Sequence, residues 1–483
     1  MEAIDFRFSG NITPITNGHR ALAISDEIKN ALYTESEFRK KASKVSTEFI
    51  FEKVAPALIN SMEQNIAHRL TAAAIRANHN ASLYSVNKAG GAEIATEILF
   101  DSKLTKVIER NMGRELVHRK IKYLNENHQP LLIGLPLFSR KPVSPIKNRG
   151  HLPDIGDIHS LMRCAEVAKL LSWVHDYDIH LNIFADGFKY QRACGTPDNI
   201  ISDYQTSLRF WAAKLGIDKY VKIINYEDVV THTLGRDQAR LRDEIFLNTY
   251  YKLTEQTRPL FNPKSLYASF HSIEVKVPHG SELRYIFLSI ASSVFYRTGD
   301  LGDRIVSRCD LAQNTFTKFL AGLHGELQGE TPKYTTNREL IESLIFEAWD
   351  AAMKYVAISL TDRKLNIWGK LQPEGIKLTI HGKPEEIQIR PTNSKFPTMT
   401  AQHSVGGLIP TKAGVKITCE YRIEREAAKE IPVLLENTSS PHRTSSCVPP
   451  IIRKMIGSEQ PFCYVPANTE NIYSILSGSY TDA

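Results

Sequence analysis

Leu131–Asp157 reads LLIGLPLFSRKPVSPIKNRGHLPDIGD, and it changes character twice within 27 residues. The apolar run LLIGLPLF stops at Ser139-Arg140-Lys141-Pro142, a loop rich in proline and cations follows, and helical spacing resumes at Asp157. A strand, a long loop and a helix are expected in that order. Long loops inside compact domains are commonly functional, and ligands of open α/β sheets sit at the carboxyl ends of strands.

The alternation continues outward on the C-terminal side. A helix is predicted from Asp157 to about Val174, then a strand over Ile179–Asp186, a helix over Asp198–Leu215 and a strand over Val221–Tyr226. Short, continuously apolar strands alternating with helices argue for a parallel sheet covered on both faces. On the N-terminal side, Phe49, Phe51, Val54, Leu58, Ile59, Met62, Ile66 and Leu70 recur at helical spacing, and Glu109–Asn125 looks similar. These predict a helical layer. Helices are also expected at Asp237–Glu255, Glu282–Tyr296, Leu311–Leu323 and Asn337–Leu360, with a loop over Phe261–His279. Beyond Thr361 the period becomes two, at Ile376–His381, Glu386–Arg390 and Val415–Ile423. The expected fold is α/β: a Rossmann-like parallel sheet with a helical N-terminal layer and a smaller C-terminal β-rich unit. Its expected divisions are a helical region 1–115, an α/β core 116–360 with helical insertions, a β-rich unit 361–436 closing the site, and an extension 437–483.

Composition narrows the function classes. With 42% hydrophobic and 23% charged residues the chain reads as globular, not disordered or fibrous. A net charge of +7 from 60 basic and 53 acidic residues leaves no dominant field, and no run of like charges suggests nucleic acid. The six cysteines lie far apart without a CxxC pair, so they read as reduced thiols, and no metal site is expected. The N-terminal stretch lacks a secretory pattern and no apolar run approaches a membrane span, so a cytoplasmic protein without membrane contact is expected. There is no GxGxxG after a strand and no GxxxxGK[ST].

Right-handed crossovers place the carboxyl ends of parallel strands along one edge. Three loops then meet there. The first brings Arg140, Lys141, Lys147, Arg149, Asp154 and Asp157, the second Asp186, Lys189 and Tyr190, the third Glu227 and Asp228. Cations beside a helix N-terminus suit a phosphate, and carboxylates among them suit proton transfer. Simpler roles also fit: Asp157 as the helix N-cap, Asp186-Gly187 as a turn, Tyr190 as packing. In IKLTIHGK, alternation sets Lys377, Thr379, His381 and Lys383 on one face, which is either solvated or turned toward the cleft. His403, in MTAQHSVGGL, is structural or joins them.

Three segments in this order, GLPLFSRKP…KNRGHLPDIGD, NIFADGFKYQ and IKLTIHGK with the downstream His403, resemble the isonitrile (isocyanide) synthases, also called the pyoverdine and dityrosine biosynthesis family. The resemblance runs from about Arg114 to Gly407. The family's Trp before the late histidine is Gln402 in this chain. The resemblance implies condensation of the amino group of an aromatic amino acid, tyrosine or tryptophan, with the ketone of ribulose 5-phosphate, as a step of secondary metabolism. The amine nitrogen and the ketone carbon become the isonitrile, and the rest of the sugar leaves by C–C cleavage and phosphate elimination. No redox cofactor or metal is implied. Partners are then the two small substrates and a downstream tailoring enzyme. On this reading Arg140, Lys141 and Lys147 bind the sugar phosphate, with Asp157 and Tyr190 also in the substrate site. Asp154, Asp186 and His381 move protons, and Lys383 and His403 assist. Another sugar-phosphate lyase or transferase, or an inactive regulatory homologue, fits the same scaffold.

Overall fold

The computed structural model of the chain describes residues 33–106, 110–141, 148–194, 198–257, 350, 353–380, 387–390, 404–411, 414–420, 422–436 and 459–467. Lys147, His381, Lys383 and His403 lie outside them, as do the helices expected at Glu282–Tyr296 and Leu311–Leu323 and the loop expected at Phe261–His279.

In chain order the elements are α1 (Glu35–Lys41), β1 (Ser43–Val45), α2 (Ala55–His79), α3 (Gly91–Leu99), β2 (Thr105–Lys106), α4 (Arg110–Glu126), β3 (Leu131–Pro136), α5 (Ile155–Ser172), β4 (Ile179–Ala185), α6 (Asp198–Lys214), β5 (Val221–Asn225) and α7 (Tyr226–Thr257). A helix through 353–364, α8, follows, then β6 (Ile376–Thr379), β7 (Ile387–Ile389), β8 (Val405–Thr411), β9 (Gly414–Glu420), α9 (Arg422–Ala427), β10 (Ile431–Leu435) and β11 (Cys463–Val465).

Two sheets are present. The first has the order β2-β7-β6-β3-β4-β5, in which β7, β6, β3, β4 and β5 run parallel and β2 is antiparallel to β7. The second has the order β1-β10-β11-β8-β9. Helix α5 lies between them, packing on β4 and β5 on one side and on β8 and β9 on the other. That position explains its sequence, because a helix covered all round needs no polar face, and 15 of its 18 residues are buried. Helices α2 and α3 pack on α5 and form the expected N-terminal layer. They are tied to it by charge as well: Arg69 of α2 meets Glu166 of α5 at 2.6 Å and Asp101 at 3.5 Å.

Two expectations change. Strands β6 and β7 belong to the central sheet, with β6 paired to β3 at Ile133↔Ile376, and not to a separate unit beginning at residue 361. Both alternate buried with more open positions, which fits a covered sheet interior as well as a small sheet. The C-terminal β-rich unit is instead the second sheet, built from residues 405–465 and completed by β1 near the other end of the chain. The strand expected over Val415–Ile423 ends at Glu420 and gives way to α9.

Candidate functional site

The carboxyl ends of β3, β4 and β5 form the expected edge, and close backbone approach is its first requirement. After β3 the chain turns through Phe138, whose φ of 62° starts the loop. A Cβ on Gly187, just after β4, would sit 2.1 Å from the Ser139 carbonyl oxygen. Only glycine lets these two exits touch.

Asp186 stands between them. Its Oδ1 is shut off from solvent and has no hydrogen-bond partner, while Ser139 hydrogen-bonds to the carboxylate. Burial raises its pKa, and Lys189, Ser139 and Arg140 only partly oppose that rise. Arg140 is itself buried, with Nε unpartnered. A carboxylate that holds its proton more tightly than usual, beside two cations, is suited to proton transfer.

The loop after β4, with α7 and α8, lines a cleft of about 360 Å³. Helix α7 is broken at Gly235, where φ 69° and ψ 176° are accessible essentially only to glycine. Val230 and Leu234 line the cleft from before the break, Arg242 and Phe246 from after it. Asp362, carried in by α8, ties together two of the cleft's cations, Lys189 and Arg242. It accepts from Lys189 Nζ at 2.9 Å, from Arg242 Nε at 2.9 Å and from the Tyr226 hydroxyl at 2.7 Å. Arg242 also grips Glu227 with two N–H groups, at 2.7 and 2.9 Å. Burial would raise the pKa of Asp362, but Lys189 and Arg242 outweigh it and hold it below the ordinary value. Burial would likewise lower Lys189, and Tyr226 with Asp362 raises it instead. The Lys189 ammonium also lies 4.5 Å from the centre of the Tyr226 ring and 4.9 Å from that of Tyr190.

Tyr190 does not present its ring to this space. It stacks on Tyr355 at 3.8 Å between centroids, and its hydroxyl is 3.0 Å from the Ser359 hydroxyl. It is a packing residue that joins the β4 loop to α8.

Lys141, Asp154 and Asp157 form a separate centre on the other side of the loop. Lys141 is fully buried, with Nζ 2.7 Å from Asp154 and 2.6 Å from Asp157. Asp154 is the N-cap of α5, its Oδ1 accepting from Gly156 N at 2.8 Å, and Asp157 returns a bond to the Asp154 amide at 3.0 Å. The N-cap is thus Asp154, and Asp157 is the third residue of the capping box. Tyr204 of α6 donates to Asp157 at 2.7 Å and Gly406 N of β8 to Asp154 at 3.3 Å. Burial raises Asp154 to about 6 despite the ammonium beside it. The expectation that Lys141 binds phosphate, and that Asp154 and Asp157 serve substrate, is corrected by this geometry. The lysine is enclosed by two carboxylates that also fasten a helix, so its charge is spent on the fold.

Arg149 likewise points away from the edge. It contacts Glu35 at 2.6 Å and the Glu459 carbonyl at 3.1 Å, and its guanidinium lies 3.5 Å from the Phe38 ring centre. Burial, assisted by Arg422, lowers it to about 10. Of the residues selected from sequence, the structure therefore brings Arg140 and Asp186 together at the edge, with Lys189 and Glu227 from the same loops. Arg242 and Asp362 were not selected. The one available signal was an acid closing the apolar run of α8, VAISLTD, at residues 356–362. Among the described residues no group of three or more His, Cys, Asp or Glu is placed to hold a metal ion, and no helix is long and apolar enough to cross a membrane.

Comparison with known proteins places this edge in context. Residues 121–295 match the family described as pyoverdine/dityrosine biosynthesis protein. An L-tyrosine isonitrile synthase of Xenorhabdus nematophila is 25% identical over 162 residues, 33% of this chain and 48% of that protein. The match thus spans about half the length of that curated relative. The crystal structure of the PvcA protein from Pseudomonas aeruginosa aligns over 78% of this chain and 100% of that chain, with a TM-score of 0.49 and 16% identity. Asp186, Lys189, Glu227 and Arg242 fall inside the matched residues and Asp362 falls outside them.

Proposed function

From the match of residues 121–295 to the pyoverdine/dityrosine biosynthesis family, we propose that the chain is an isonitrile synthase acting on an aromatic amino acid, tyrosine or tryptophan, with ribulose 5-phosphate. The observation that carries the reading is Asp186: a carboxylate with an unpartnered, enclosed oxygen and a raised pKa, at the carboxyl end of β4 and beside Arg140 and Lys189. Imine formation and the later eliminations each need a proton taken or returned at one place, and a carboxyl group whose pKa lies above the usual range does both. Arg140, with the loop cation Lys147, is assigned to the sugar phosphate, whose departure cations assist. His381 is assigned to a second proton transfer, with Lys383 and His403 assisting.

Incubation with L-tyrosine or L-tryptophan plus ribulose 5-phosphate, followed by mass spectrometry for the isonitrile, tests the proposal. Product is expected only when both substrates are present. Consumption of the sugar phosphate without an amino acid points to another lyase, and no product with either amino acid overturns the reading.

A further inference from the structure

We propose that the cleft among the loop after β4, the broken helix α7 and α8 is the subsite of the amino-acid substrate, holding its side chain against apolar residues and its charged α-carbon groups against charged ones. The inference rests on the isonitrile synthase reading for its reaction, but its geometry stands by itself.

The first observation is the mixed lining. Phe188, Val230, Leu234, Phe246 and Ile358 supply apolar surface, and Lys189, Glu227, Arg242 and Asp243 supply charges of both signs. A cleft of about 360 Å³ is the size of a site for a single small molecule. Apolar surface together with charges of both signs is complementary to a zwitterion with a large apolar side chain.

The second observation is the balance of charge. Two cations, Lys189 and Arg242, and two carboxylates, Glu227 and Asp243, line the cleft, and Asp362, outside the lining, is bonded to both cations. A phosphate dianion entering here meets two cations already paired with carboxylates and no unopposed positive charge, which disfavours it. An amino acid brings one charge of each sign. Arg242 makes four hydrogen bonds to Glu227 and Asp362, and a guanidinium has five N–H donors. The remaining donor suits a carboxylate, while Glu227, about a quarter exposed, suits an ammonium. The two substrates are thereby sorted by charge, with the sugar phosphate assigned to Arg140 and the amino acid to the cleft that Lys189 lines.

Lys189 links the subsite to the reacting centre. It lines the cleft, and its charge acts on Asp186.

Thr231 offers the test, because it lines the cleft from an exposed position where a larger side chain fills space without entering the core. Binding of L-tyrosine, L-tryptophan and L-phenylalanine to the full chain is measured by calorimetry for the parent, Thr231→Trp and Glu227→Gln, with circular dichroism confirming that each variant is folded. At least one of the three is expected to bind, and Thr231→Trp is expected to weaken it about tenfold or more. Analogues of that ligand lacking the carboxylate or the amine are each expected to bind more weakly, and inorganic phosphate is expected not to compete. Glu227→Gln is expected to weaken the amino acid but not the deaminated analogue. The subsite is overturned if none of the three binds, if Thr231→Trp binds like the parent, or if phosphate displaces the amino acid. Binding with this pattern but no isonitrile formation leaves the subsite standing and removes the reaction. Isonitrile formation with an unchanged KM for the amino acid in Thr231→Trp does the reverse.

Discussion

Replacing Lys141 by methionine separates a structural lysine from a phosphate-binding one. The ammonium sits 2.6 and 2.7 Å from two carboxylates with no access to solvent, and breaking a buried ion pair by removing one partner costs about 3–5 kcal/mol. The carboxylates keep other donors, Tyr204 and the amides of Gly156 and Gly406. The expected loss is therefore at the lower end, about 3 kcal/mol, against roughly 5–15 kcal/mol for a typical domain. The pH dependence follows from Asp154. Its folded pKa is raised from 3.8 to about 6, so the folded state binds more protons in that window and, on this group's account, stability falls as pH rises through it. Without Lys141 the window extends upward. Urea unfolding followed by tryptophan fluorescence is expected to show Lys141→Met far weaker than the parent at about pH 8 and closer to it at about pH 5. Adding Asp157→Asn is expected to recover part of the loss by removing one of the two unpaired charges. A variant as stable as the parent across this range, with weakened binding of ribulose 5-phosphate, refutes the reasoning and returns Lys141 to the phosphate.

Asp186→Asn is expected to remove isonitrile formation by about 10²–10⁴-fold, while the unfolding midpoint stays level or rises because an enclosed charge has been removed. In the parent, the rate is expected to fall as acid protonates Asp186, at a pH above the ordinary carboxylate range because its pKa is raised; a profile flat through that region contradicts the assignment. Asp362→Asn is expected to cost about 3 kcal/mol. The lowered pKa of Asp362 makes its contribution complete above pH 3.8 and progressively lost below it, so urea midpoints of variant and parent should converge only in strong acid. Gly235→Ala is expected to cost about 1–3 kcal/mol, read by thermal unfolding, since the required φ and ψ suit glycine alone.

Much of the central sheet was readable because β3, β4 and β5 are short apolar runs between punctuating loops, and periodicity reports such local alternation well. The same reading located Asp186, a charge at the end of a buried run. Local pattern could not reveal partners. Nothing in IKLT specifies that β6 lies beside β3, more than 230 residues earlier. The cations of the loop illustrate a second limit, since sequence gives their charge but not their direction. Arg140 and Lys141 are neighbours, yet the first borders Asp186 and the second is enclosed by the cap of α5. Arg242 and Asp362 carried no motif, each being one charge among several on its helix, and their meeting depends on how α7 and α8 cross.

The pairing of β1 with β10 governs the order in which the molecule can be completed during synthesis. Val45 lies opposite Leu435, about 390 residues later in the chain. At roughly 5–20 residues per second, a ribosome takes about 20–80 seconds to bring the second strand into existence after the first. Through that interval β1 has neither its parallel neighbour nor the sheet to which it forms an edge, while β3, β4 and β5 have all emerged. The β3–β5 part of the central sheet can thus be assembled as the chain emerges, but the second sheet waits for residues 431–465. A ribosome-stalled chain ending before residue 431 is expected to protect β3–β5 against proteolysis and to leave residues 43–45 open to cleavage.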